Sequence, residues 1–163
     1  MRKRVSILGS GISGVGAAIL AKDKGYEVFV SDSNEITSNV KNKLDFISIP
    51  WEENKHSYAE LKKSDLVIKS PGISNESEII IKLRSSNVKV ISEIEFASLH
   101  TNSFIIGITG SNGKTTTTEL IYHILKMSGL NVGIAGNIGT SFSKQIAENR
   151  FEYYVLEISS FQL

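Results

Sequence analysis

The sequence predicts an α/β protein made of two parallel-sheet units in series. Three observations predict it. Short β-branched runs alternate with helical stretches along nearly the whole chain of 163 residues. Two glycine-rich loops, roughly 100 residues apart, each fall between an apolar run and an amphipathic stretch. A polar joint, His100-Thr101-Asn102, separates the segment that holds one loop from the segment that holds the other.

Val5–Leu8 reads as a short buried strand running into Gly9-Ser10-Gly11-Ile12-Ser13-Gly14. A helix follows, with Val15, Ala18 and Ile19 on one face and Gly25 placed to end it. Glu27–Asp32 is a second strand, closing on an acid. A Gly-x-Gly-x-x-Gly loop between strand and helix, with an acid ending the next strand, describes a Rossmann-like unit that holds a nucleotide diphosphate. The glycines let the backbone approach the phosphates, and the helix start supplies unpaired N–H groups and partial positive charge. NAD fits this pattern, and so does another nucleotide. The plainer alternative is that Gly14 serves only helix–strand packing and Asp32 only caps a turn.

Ile36–Phe46 is expected to be helical, and Phe46–Ile49 to form a short strand before Pro50. A helix near Tyr58–Lys63 leads to a strand at Asp65–Lys69. That strand ends in Ser70-Pro71-Gly72-Ile73, a tight turn. Its Ser70 hydroxyl and Gly72 N–H are candidates to face a ligand at the sheet's C-terminal edge, unless the turn is an ordinary connection. A helix at Glu76–Ser85, a strand at Val88–Ile91 and a helix at Glu93–Leu99 continue the alternation. Trp51, His56 and Tyr58 receive no chemistry. His56, His100 and His123 lack metal-binding spacing and read as surface or boundary residues.

After the joint, Ser103–Ile108 is a strand that enters Thr109-Gly110-Ser111-Asn112-Gly113-Lys114-Thr115-Thr116. A helix over 114–128 follows, its apolar face Leu120, Ile121, Ile124 and Leu125, with Gly129 beyond it. Strand, glycine loop, then Gly-Lys-Thr at a helix start is a triphosphate cradle. Backbone amides from Gly110 to Thr116 surround phosphate oxygens, Lys114 adds a charge for the terminal phosphates, and Thr115 offers a hydroxyl to Mg²⁺. The general pattern places a glycine where this chain has Ile108. A strand at Asn131–Ile134 and a helix near 140–148 precede a strongly strand-like run, Phe151–Ser160, which carries Glu157. An ionised carboxylate in a core strand is costly unless paired or bound to metal. Glu157 is therefore either a Mg²⁺ ligand beside Thr115 or a glutamate on an exposed face.

Composition narrows the function classes. Apolar residues make up 40% and charged residues 21%, as in ordinary globular domains. A net charge of +1 gives no reason to expect nucleic acid or an anionic membrane as partner. No cysteine is present, which excludes disulfides and thiolate chemistry and suits the cytoplasm. The basic Met1–Arg4 start leads into a short, glycine-broken run, which reads as a first strand and not as a signal peptide. The expected domains are 1–98 and 99–163, the second with too few strands to be more than the first part of a domain.

Five motifs occur in order: Gly9–Gly14, Ser70-Pro71-Gly72-Ile73, Thr109–Thr116, Gly136-Asn137-Ile138-Gly139, and Leu156-Glu157-Ile158-Ser159-Ser160-Phe161-Gln162-Leu163. Together they resemble the N-terminal part of the Mur ligases, and the last two resemble the branch that adds D-glutamate. The resemblance implies an ATP-dependent, Mg²⁺-requiring ligase of peptidoglycan precursor synthesis. It would join D-glutamate to UDP-N-acetylmuramoyl-L-alanine through an acyl phosphate in the cytoplasm; a monomer is the expectation, although no motif here encodes oligomeric state. It further implies that Ile12, Ser13, Asp32 and Ser33 hold the uridine end of the substrate, that Gly11 and Gly14 admit its diphosphate, and that Ser70 and Gly72 line the same cleft. Gly110, Ser111, Asn112, Gly113, Lys114, Thr115 and Thr116 would bind ATP. Lys114 and Glu157 would be catalytic, Thr115 and Glu157 would hold Mg²⁺, and Asn137 and Ser159 would face the substrate. Family members often carry a basic residue where this chain has Asn34. The family's carbamylated lysine and D-glutamate pocket fall after Leu163, so these 163 residues alone are expected not to turn over. Two other classes stay open: a UDP-sugar-binding module without catalysis, and an NAD-dependent dehydrogenase.

Overall fold

The computed structural model describes residues 2–159 and 162. Eight strands and seven helices alternate through these residues and form two parallel sheets. The first contains β1 (Arg4–Leu8), β2 (Glu27–Ser31), β3 (Trp51–Glu52), β4 (Leu66–Lys69) and β5 (Lys89–Ser92), in the order β3-β2-β1-β4-β5. Between them run α1 (Ile12–Asp23), α2 (Ser38–Phe46), α3 (Tyr58–Leu61) and α4 (Glu78–Ser85), and α5 (Glu93–Ser98) follows β5. The second sheet contains β6 (Phe104–Ile108), β7 (Val132–Gly136) and β8 (Tyr153–Glu157), in the order β6-β8-β7. Its helices are α6 (Lys114–Met127) and α7 (Phe142–Glu148).

The central strands are buried on both faces, which explains their unbroken apolar runs. Val5, Ile7 and Leu8 of β1 are fully buried, as are Tyr154, Val155 and Leu156 of β8. Strand order places β1 between β2 and β4, with Leu8 level with Ser31 and Lys69. The glycine loop after β1 therefore leaves the sheet beside Asp32 and Ser70. In the second sheet Ile108 and Gly136 lie level with Glu157, so three loops leave that edge together.

Sequence and structure differ at three places. Phe46–Ile49 is not a strand: α2 ends at Phe46, Ser48 turns at a φ of 54°, and the strand comes later, at Trp51–Glu52. The apolar residues there anchor the turn instead, with Ile49 buried in the core. On α1 the buried surface is wider than one face and runs from Gly14 to Ala18 and on through Leu20 and Ala21. The helix is gripped on two sides, by its own sheet and by α7. On α6 the expected face is only half covered. Ile121 and Leu125 are partly buried, whereas Leu120 and Ile124 are 56% and 53% exposed. Three strands are too narrow to cover the whole apolar stripe.

One hydrophobic cluster joins the two sheets. It includes Ile7, Ala17 and Phe96 on one side and Phe142, Tyr154 and Leu156 on the other. Gly16 is the contact point: a Cβ there would lie 1.9 Å from Ser141 Oγ, so only glycine lets α1 approach the start of α7 this closely. Beside it, the buried Glu93 carboxylate accepts the Ser143 N–H at 2.5 Å. This carboxylate sits at the N-terminus of α7, where helix amides favour negative charge.

Candidate functional site

Two clusters of polar groups form at the C-terminal edges of the two sheets. In the first, Gly9-Ser10-Gly11 turns the chain from β1 into α1. Gly14 has no room for a side chain, because a Cβ would lie 1.9 Å from the Gly9 carbonyl oxygen. The packing role expected of Gly14 is thus real, and it brings the start of α1 tight against the loop. Gly11 caps α1 without any side-chain acceptor, which leaves the first helical amides for another partner. Ile12, the first helical residue, is 70% exposed, an apolar side chain standing at the mouth of the loop.

Asp32 braces this loop. One carboxylate oxygen accepts from Ser10 N–H at 2.6 Å and from Ser10 Oγ at 2.7 Å, and the other accepts from Asn34 N–H at 2.9 Å. Burial raises its proton affinity, but the bonds from Ser10 and Asn34 outweigh that and hold the carboxyl below the usual aspartate range. The Ser70 hydroxyl packs against Gly9 and Gly14 and is buried without a hydrogen-bond partner among the described residues. Such an orphan hydroxyl beside a glycine loop suits a ligand that completes it. The turn after Ser70 is held from below by Lys69, whose Nζ donates to the Ile73 carbonyl at 3.0 Å. Burial, and then Arg84, lowers the proton affinity of Lys69. Ser33 and Gly72 line a groove of about 540 Å³ together with His56, Tyr58, Ile73 and Lys82.

The second cluster centres on Glu157. It is 3% exposed, so it does not stand on a solvent-facing side of β8. Thr115 Oγ donates to one carboxylate oxygen at 2.7 Å, and Asn137 Nδ2 to the other at 3.2 Å. The Asn137 N–H also donates to the Glu157 carbonyl at 2.9 Å. Three motifs far apart in sequence thus meet at one carboxylate. Lys114 lies across the adjoining loop, its Nζ donating to the Gly110 carbonyl at 2.7 Å. Gly113 caps α6 at a φ of 73° and contributes no side-chain acceptor, so the α6 start, like that of α1, offers free amides. Residues 109–113 are exposed. A buried carboxylate, a neighbouring hydroxyl and exposed helix amides make a donor set that fits Mg²⁺ carried with phosphates, a hard cation that takes few protein ligands.

Among the expected site residues, Lys114, Thr115, Asn137 and Glu157 come together, and Gly14, Asp32 and Ser70 form a second set around the first loop, joined by Ser10, for which no role was read from the sequence. Ser159 is close by in the chain but turns back, its Oγ and N–H both bonding Gln162 Oε1 at 2.9 Å. Ser160, Phe161 and Leu163 of the last motif lie outside the described residues. Of the surface and boundary placements that its sequence context left open, His56 takes the boundary one. It is half-buried and bonds Ser31. Only pairing of β3 with β2 brings it there, a contact with no sequence signal.

A family model described as the MurD N-terminal domain matches residues 4–79, and one described as the Mur ligase middle domain matches residues 108–163. The chain is 55% identical over 161 residues to the UDP-N-acetylmuramoylalanine–D-glutamate ligase of Bacteroides fragilis, a match covering 99% of this chain and 36% of that protein. It is 50% identical over 163 residues to the ligase of the same name from Christiangramia forsetii, covering 100% of this chain and 37% of that one. Among solved structures, UDP-N-acetylmuramate:L-alanyl-gamma-D-glutamyl-meso-diaminopimelate ligase from Neisseria meningitides aligns with a TM-score of 0.62 at 22% identity, over 96% of this chain and 52% of that one. That last likeness is one of fold alone. The chain spans little more than a third of the length of the curated relatives it matches.

Proposed function

The chain belongs to the Mur ligase family, and on that footing we propose that it is the N-terminal part of a UDP-N-acetylmuramoylalanine–D-glutamate ligase. Residues 1–98 form the domain for the UDP-linked substrate, and residues 99–163 begin the ATP-binding domain. The observation that carries this reading is the meeting of Thr115, Asn137 and Glu157 at one buried carboxylate beside Lys114. Family membership removes the ground for a dehydrogenase.

In this reading the amides of Gly110–Thr116 and the Lys114 ammonium grip the phosphates of ATP. Thr115 and Glu157 hold Mg²⁺, which when bound neutralises charge on the transferring phosphate. Gly11 and Gly14 admit the diphosphate of the UDP-sugar, with Ile12, Ser13, Ser33, Ser70 and Gly72 around it and Asp32 holding the loop in shape. The L-alanyl carboxylate of the substrate attacks the γ-phosphorus, ADP leaves, and an acyl phosphate results. The amine of D-glutamate then attacks the acyl carbonyl and inorganic phosphate leaves. This chain's residues act by positioning and charge stabilisation. Asn137 and Ser159 lie at the edge where the acyl phosphate would form.

The family's chemistry suits a cytoplasmic enzyme acting on soluble nucleotide-linked precursors. Among the described residues no helix is long and apolar enough to cross a membrane. The test is Lys114→Ala in the complete enzyme. Ligation should fall at least a hundredfold, while affinity for UDP-N-acetylmuramoyl-L-alanine, measured by calorimetry, stays within a factor of about two. Joint loss of both would refute two separate phosphate sites. D-glutamate ligation by residues 1–163 alone would refute the need for residues beyond them.

A further inference from the structure

The groove at the edge of the first sheet contains a histidine that none of the roles above uses. Backbone bonds lace residues 32–34 to residues 52–55: Asp32 N–H to the Glu52 carbonyl, Lys55 N–H to the Asp32 carbonyl, and Asn54 N–H to the Asn34 carbonyl, each at 3.1 Å. This fixes His56 over the end of β2, with Nδ1 2.7 Å from Ser31 Oγ. The ring then lines the groove beside Ser33 and Gly72.

The direction of the Ser31 bond follows from its neighbours. Ser31 has one hydroxyl proton, and Oγ also contacts Glu52 Oε1 at 2.8 Å and the Lys55 carbonyl at 3.3 Å. Both are acceptors only, provided Glu52 is ionised. Burial opposes that ionisation, but bonds from Ser57 and Ser31 prevail and hold Glu52 below the usual glutamate range. The hydroxyl proton therefore goes to one of these acceptors, and His56 Nδ1 must be the donor to Ser31. Burial holds the imidazole below the usual histidine range, although Asp32 and Glu52 pull the other way. The ring is neutral near pH 7, with its proton on Nδ1. Nε2, on the far side of the ring from Ser31, carries a lone pair and has no partner among the described residues.

We propose that His56 reads the base of the bound nucleotide: its Nε2 lone pair accepts the ring N–H of a uracil-type imide and so selects uridine over cytidine. This rests on the reading that the first loop holds a uridine diphosphate, and it adds the residue that recognises the base. Uracil presents acceptor, donor and acceptor along its edge. His56 answers the central donor, and the exposed Ser33 hydroxyl alongside can donate to a flanking carbonyl. Cytosine has a lone pair at the same ring nitrogen, which would face the Nε2 lone pair and repel it. The other titratable groups facing this groove are Tyr58 of α3 and the paired Glu78 and Lys82 of α4, with Lys55 close to Glu52.

The experiment is calorimetric titration of the protein and His56→Ala with UDP and with CDP. The protein should prefer UDP by about tenfold, one hydrogen bond's worth with the repulsion avoided. His56→Ala should bind both at the level of CDP. As pH falls through the lowered range of His56, UDP affinity should fall more than CDP affinity, because the protonated ring donates from Nε2. In the unaltered protein, the ¹⁵N resonance of His56 Nε2 should shift with UDP and not with CDP, which decides the matter even if the variant is unstable. Equal preference in both proteins, or an Nε2 resonance unmoved by saturating UDP, overturns the role of His56 alone. Failure of the protein to bind either nucleotide overturns the diphosphate site itself.

Discussion

Replacing Glu157 by glutamine separates a metal-binding carboxylate from a structural one, because the two roles predict opposite signs. The side chain is 3% exposed and accepts two hydrogen bonds from neutral groups, Thr115 and Asn137. None of the ion pairs among the described residues includes it. An ion buried this way costs several kcal/mol after relaxation. Two hydrogen bonds to a charged acceptor return roughly 1.5–3 kcal/mol each, against roughly 0.5–1.5 for a neutral one. Glutamine keeps the shape, keeps the Thr115 bond through its oxygen, and lets Asn137 turn its amide to accept. It therefore loses about 1–3 kcal/mol of hydrogen bonding and regains a penalty of equal or greater size. Ligand-free stability should be unchanged or higher. With Mg²⁺ and ATP at a hundred times the dissociation constant, the unaltered protein should gain about 2.7 kcal/mol. At about 2–4 °C per kcal/mol for a chain of this size, that is a Tm rise of about 5–11 °C. Glu157→Gln should show little of this rise. Thermal scans with and without Mg²⁺–ATP give all four numbers. A variant that melts several degrees earlier without ligand, yet keeps the full Mg²⁺-dependent rise, would refute the metal role and leave Glu157 as a fold residue.

Two further substitutions probe the contact between the sheets. Gly16→Ala puts a methyl 1.9 Å from Ser141 Oγ and should destabilise by about 1–3 kcal/mol, read from urea midpoints, as α1 and α7 are forced apart. An unchanged midpoint would mean that the contact between these helices is looser than its geometry. Burial raises the proton affinity of Glu93, against the bonds it accepts from Ser143. A raised folded-state pKa means stability is fully present below the unfolded value and is lost as pH rises through the folded one. Melting temperature should therefore fall as pH climbs above the ordinary glutamate range. Glu93→Gln, which keeps the acceptor for the Ser143 N–H, should flatten that fall, and equal slopes in both proteins would exclude Glu93 as its source.

The parts of this protein that were legible in its sequence are those where one local pattern has one physical cause. Glycine loops between a β-branched run and an amphipathic stretch marked both helix starts, because that order is needed to aim backbone amides at an anion. Glu157 was legible as an anomaly, a charge inside an apolar strand, although its partners come from elsewhere, Thr115 from the first turn of α6 and Asn137 from the loop after β7. What stayed hidden was set by pairing between segments. The apolar run at 46–49 has strand composition, yet it closes α2, since Ile49 reaches the core from a turn and β2 already has β3 as its edge partner. The width of the buried surface on α1 was hidden as well, because α7, more than 100 residues later, supplies its second wall.

Asp32 has a task within its own loop that its motif position did not disclose. The resemblance gives it a place at the uridine end of the substrate, and in the structure its oxygens accept from Ser10 and Asn34. The acid shapes the loop that a ligand would meet, and the face turned toward the groove belongs to His56 and Ser33 instead. Both acids that the motifs singled out thus differ in kind. Glu157 is held by two neutral side-chain donors and has the capacity to take a cation, whereas Asp32 is held by backbone amides and one hydroxyl of its own loop and has little left to offer. At the first edge the carboxylate is thereby committed to its loop, which leaves the proposed reading of the base to the imidazole of His56 in the groove.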